Sequence, residues 1–135
     1  MNLHKTAQEL KHQNDFLKSL SKEEITFLMK ACIFELESLQ ILSEKELTQL
    51  NKVILINEPF NNLFFKYNKE RLNTHGIIFL EEENDLEFMM SVLLYFKFRI
   101  PLMVFLSSDI QNQFYNVFIK VLKDNKASNN FIIKI

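Results

Sequence analysis

The sequence predicts an α/β domain: N-terminal helices followed by a small three- to four-stranded sheet flanked by helices. Three observations carry that expectation. Serine-led capping boxes and helical apolar spacing fill the first 50 residues. From residue 52, short apolar runs alternate with amphipathic stretches, as strands alternating with helices would. Hydrophobic residues make up 47% and charged residues 24%, an ordinary globular balance. At 135 residues the chain suits one domain, with a helical part over 1–50 and an alternating strand/helix part over 51–135.

The elements follow in order. Leu3, Ala7, Leu10, Leu17 and Leu20 recur at helical spacing. Ser21 with Glu24 forms a capping box, and the helix it opens carries Ile25, Leu28, Met29, Cys32, Leu36 and Leu39 on one face. Ser43 with Glu46 forms a second box, opening a short helix to about residue 50. "KVILIN" (52–57) reads as a strand. Glu58-Pro59 then suits the first turn of a helix bearing Phe60, Leu63, Phe64 and Tyr67. "GIIFLE" is the next expected strand, followed by a helix over about 85–97 and by "PLMVFLS" as another strand. The segment 108–122 has the clearest helical stripe: Ile110, Phe114, Val117, Phe118, Val121 and Leu122. "NNFIIKI" reads as a terminal strand.

Composition excludes several functions. The net charge of -1 supplies no global basic field for nucleic acid. A single glycine, Gly76, rules out a Walker A loop and a dinucleotide fingerprint, each of which needs at least two. The lone Cys32 allows no internal disulfide or multi-cysteine zinc site, and its place on an apolar face makes it a small buried hydrophobe. His4, His12 and His75 are scattered, and no serine stands in a nucleophile elbow. No catalytic residue and no cofactor is expected. The start lacks an apolar signal core, and the longest apolar runs fall well short of the roughly 18 residues needed to span a bilayer. A cytoplasmic protein without direct membrane insertion is the expectation.

"HGIIFLEEENDLEFMM" (75–90) places Glu81, Glu82, Glu83, Asp85 and Glu87 after a strand. Consecutive strand positions point to opposite faces, so these acids do not converge as a cation site requires. Asn84 with Glu87 three residues later instead suits a helix N-terminus, where acids complement the helix dipole. The following helix is apolar almost all round and is expected to be buried on more than one side. Ser108 with Gln111 makes a third capping box, and Ser107 and Ser108 are caps for the last helix. Phe65 lies about 100° round its helix from the core-facing Phe64, beside Lys66 and Lys69; burial in the core is the favoured reading of this aromatic cluster, and an exposed interface anchor at Phe65 is the other.

Residues 35–50, "ELESLQILSEKELTQL", resemble the small helical unit in N-terminal domains of type II secretion and type IV pilus assembly ATPases. Residues 76–122 are similar to the second unit of those domains: strand, acidic turn, leucine-rich helix, strand, capped amphipathic helix. The likeness thus covers roughly 35–122. Members often have Asp-Pro where this chain has Glu83-Asn84, and glycine where it has Lys97, Phe98 and Arg99. The cyclic di-GMP segments of some members, with their Arg and Gly, have no counterpart in the helical region. What the resemblance implies is a non-catalytic docking module whose protein partner is the cytoplasmic part of an inner-membrane assembly protein. Phe65 and Tyr95 are the expected interface anchors. Two other functions stay open: a ligand- or metal-binding regulator using Glu81, Glu82, Glu83 and Asp85, and a self-associating structural protein, that is, a homo-oligomer.

Overall fold

A computed structural model describes residues 17–56, 78–125 and 132–134. The expected helical positions Leu3, Ala7 and Leu10, the helix expected after Pro59 with its Phe65, and the residues His4, His12, His75 and Gly76 lie outside that range. A helical turn at 17–19 buries Leu17. Helix α1, Lys22–Ser38, opens on the expected capping box: Ser21 Oγ accepts the Glu24 N–H at 3.0 Å and Glu24 Oε1 accepts the Ser21 N–H at 3.0 Å. It buries Ile25, Leu28, Met29, Cys32, Ile33 and Leu36, whereas Leu39, just past its end, stays 47% exposed. Helix α2, Glu44–Ile54, opens on the second box, Ser43 with Glu46.

Here the sequence expectation fails. Residues 52–54 of "KVILIN" continue α2 and form no strand. A short apolar run is ambiguous between the two states. Leu47, Leu50, Val53 and Ile54 also satisfy a helical repeat, and no Gly or Pro interrupts the helix that Ser43 starts. Val53 and Leu50 are buried as helix positions.

Strand β1 (Ile78–Leu80) is followed by helix α3 (Asp85–Lys97), strand β2 (Leu102–Val104), helix α4 (Asp109–Asp124) and strand β3 (Ile132–Lys134). The strands pair in parallel in the order β1-β2-β3, with Ile78 opposite Leu102 and Leu102 opposite Ile132. Each strand is three residues long, against helices of 17, 11, 13 and 16. The α/β class expected from the sequence is therefore corrected. The described residues are mainly helical, and the strands make a minor patch, not a sheet layer flanked by helices.

The core is helix on helix. Helix α3 packs against α1, α2 and α4, and α1 also packs against α2 and α4. That central place explains an almost entirely apolar sequence: Phe88, Met89, Val92, Leu93, Leu94, Tyr95 and Phe96 are all buried. Between α3 and α4 runs a ladder of rings. Phe88 meets Phe114 edge-on at 6.0 Å, Phe114 lies 6.1 Å from Phe118, and Phe118 meets Phe96 edge-on at 5.2 Å.

Two helix ends adopt a left-handed residue where glycine would be free of strain. Arg99 (φ 61°) follows α3: its N–H donates to Phe96 O at 3.0 Å, and the Ile100 N–H donates to Tyr95 O at 2.9 Å, a Schellman ending. Gln40 (φ 57°) follows α1 and donates its N–H to Glu37 O at 3.1 Å. Gln40 is exposed. Gln40→Gly is expected to raise the unfolding free energy by about 1 kcal/mol, because the left-handed penalty outweighs glycine's extra unfolded-state freedom. Arg99→Gly should gain less, since the Arg99 guanidinium also donates to Leu20 O at 2.8 Å. Parallel urea titrations of the two variants check both statements.

Candidate functional site

The acidic turn after β1 is taken up by two helix starts. Asn84 Oδ1 accepts the Glu87 N–H at 2.9 Å, while Asn84's own N–H goes to Glu82 Oε1 at 3.1 Å, so Glu82 occupies the place expected of Glu87. Across from it, Ser108 Oγ accepts the Gln111 N–H at 3.1 Å and donates to Asp85 Oδ1 at 2.6 Å. Gln111, with no exposed surface, reaches back over the same junction. Its Nε2 donates to Glu82 O at 2.6 Å and lies 3.3 Å from Asp85 Oδ1, and its Oε1 accepts the Ser107 N–H at 2.8 Å. The amide sews the start of α4 to the start of α3. Among the described residues no three His, Cys, Asp or Glu side chains gather as a metal site would need.

Beside this junction, at the carboxyl ends of β2 and β3, lies an open cleft of about 450 Å³. Phe105, Ser107, Asp109, Asn112 and Lys134 line it. The ammonium of Lys134 stands 5.9 Å from the Tyr115 ring. Among the described lining residues Lys134 is the one cation, and Asp109 offsets its charge.

Lys97 is buried near the end of α3. Its Nζ donates to Ile54 O and, at 3.4 Å, to Val53 O, the final carbonyls of α2. Burial, and secondarily the charge of Lys22, hold this amine below the usual lysine range. The negative end of the α2 dipole favours the cation that remains. Lys97 is a clasp between two helices. Cys32 is buried as the sequence indicates; burial first, then the Glu35 carboxylate, push its thiol well above the ordinary range.

The expected anchors fare differently. Tyr95 is 1% exposed and sits in the core, so it offers nothing to a partner. The cause is the central position of α3, which leaves no outer face over most of its length. Phe65 lies outside the described residues. Large apolar side chains do reach the surface elsewhere: Phe27 is 59% and Phe34 67% exposed, seven residues apart on α1 and opposite its core face. Neither was singled out by the sequence reading. The spacing was available there, since both fall outside the set Ile25, Leu28, Met29, Cys32 and Leu36 that already fills the buried side.

Compared with family models, with curated proteins and with solved structures, the chain matches none. Among the described residues no helix is long and apolar enough to cross a membrane.

Proposed function

We propose that this chain is a non-catalytic docking module of the cytoplasm, and that α1 presents its contact face. One observation carries it: two phenylalanines one heptad apart stand in solvent on a helix whose opposite side is fully committed to the core. Exposed aromatics packed into a partner's pockets are the side chains from which interface energy mostly comes. The resemblance of residues 35–122 to assembly-ATPase N-terminal domains supports the class of partner, the cytoplasmic part of an inner-membrane secretion or pilus-type assembly protein. Phe27 and Phe34 take the role expected of Tyr95.

The test is capture by the tagged full chain from membrane and soluble fractions of its source cells, read by mass spectrometry. Phe27→Ser/Phe34→Ser should lose the assembly proteins that the parent recovers. Its stability should change little, by about 0.5 kcal/mol at most per site, because neither ring is in the core. Equal recovery by parent and variant would defeat the proposal.

A further inference from the structure

The outer face of α1 carries charge in a definite order. At about 100° per residue, Glu23, Phe27, Lys30, Phe34 and Glu37 fall within a stripe roughly 80° wide. All five are exposed, and the stripe lies away from Leu28, Met29, Cys32 and Leu36. None of its three charged side chains is in an ion pair among the described residues; the Lys120–Glu35 pair, at 3.6 Å, lies to one side. Along the helix the stripe reads acid, Phe, base, Phe, acid, each about one turn from the next.

Resting on the docking function above, we propose that this face takes an amphipathic helix of another protein with the opposite order: base, apolar, acid, apolar, base. The partner's apolar pair packs against Phe27 and Phe34 at ordinary helix–helix separation, about 8–10 Å. Its acid meets Lys30, and its bases meet Glu23 and Glu37. Such rim charges set which helix is accepted more than how tightly it binds. The order reads the same from either end, so charge alone fixes no helix direction.

A second copy of the chain fits this face poorly. Parallel pairing in register sets every charge against its own kind. Antiparallel pairing that stacks Phe27 on Phe34 brings the two Lys30 side chains together and puts Glu24 against Glu37. Nucleic acid fits no better, because two acids flank the single base.

The decisive experiment uses two labelled, alanine-based helical peptides of about 20 residues. One carries Lys, Leu, Glu, Leu, Lys at the spacing of the stripe, and the other carries the same leucines with the charges reversed. Fluorescence anisotropy against the full chain should show the first binding about tenfold tighter at low salt, the gap narrowing as salt is raised. The triple variant Glu23→Lys/Lys30→Glu/Glu37→Lys, checked for folding by circular dichroism, should prefer the second peptide. Equal binding of both peptides, or binding of neither, overturns the charge order. In either case the docking function still stands if Phe27→Ser/Phe34→Ser abolishes capture, and falls if it does not. A concentration-dependent dimer in sedimentation that Phe34→Ser dissolves would overturn the proposal in favour of self-association.

Discussion

Phe118→Ala should unfold at a free energy about 4 kcal/mol below the parent, with a melting point lower by roughly 10–20 °C. Phe118 is 2% exposed and stands in the middle of the ring ladder, edge-on to Phe96 at 5.2 Å and next to Phe114 at 6.1 Å. Truncation removes the transfer free energy of a whole ring and two aromatic contacts, each worth about 0.5–1.5 kcal/mol beyond burial. It also opens a cavity between α3 and α4 that helices fixed by other contacts cannot close. A domain of this size has only about 5–15 kcal/mol in hand, so the loss is a large share of the total. Phe118→Leu keeps most of the volume and should cost about 1.5 kcal/mol or less. Denaturant titrations of the two variants give the contrast. A loss in the alanine variant no greater than a surface substitution, about 0.5 kcal/mol, would contradict the packing described.

The second large effect lies at Gln111. Gln111→Ala should destabilise by about 1–2 kcal/mol, since it removes a fully buried amide and takes its bonds from the Ser107 N–H and the Glu82 carbonyl at a half-buried junction. Gln111→Glu is nearly isosteric and should still be harmful. It replaces the amide donor by an oxygen facing the Glu82 carbonyl and the Asp85 carboxylate. The sign with pH is definite. Burial and the neighbouring acceptors raise the introduced carboxyl's folded pKa above its unfolded value near 4.3, so the native state binds the extra proton. The penalty is therefore full above the folded pKa and relieved as pH falls through it. Melting curves of the parent and of Gln111→Glu between pH 4 and pH 8 should converge towards the acid end. Curves parallel throughout would mean that the side chain does not face those acceptors.

What could be read from the sequence was local chemistry. Ser21, Ser43, Asn84 and Ser108 each cap the helix they precede, because a cap is decided within three or four residues. The almost wholly apolar α3 announces burial on several sides, as found. What could not be read depended on distant partners. Gln111 looked like the third residue of a capping box. Its Oε1 does accept a local N–H, that of Ser107, but its Nε2 reaches Glu82 and Asp85, 29 and 26 positions earlier. The run 52–57 was misjudged for a related reason: β-branched residues fit a strand, but the helix begun at Ser43 absorbs Val53 and Ile54 into the core. Tyr95 is no anchor because neighbouring helices enclose α3 over most of its length, from Ser91 to Lys97 on every side. Phe27 and Phe34 were legible in principle, as apolar residues on the wrong side of an otherwise consistent amphipathic helix.

The strand order has a consequence for how the chain is made. β1 and β2 each pair with the strand that lies a whole helix further along, and β2 is flanked on its second side by β3. The four described helices carry their own caps and can form early, from contacts close in sequence. Until residues 132–134 have left the ribosome, however, Leu102–Val104 is an edge strand, apolar and open on one side. Such edges are where nascent chains stick to one another. A few residues at β3 thus shield the growing polypeptide from its neighbours on the polysome, a protection that comes only after β1, β2 and both intervening helices have been made.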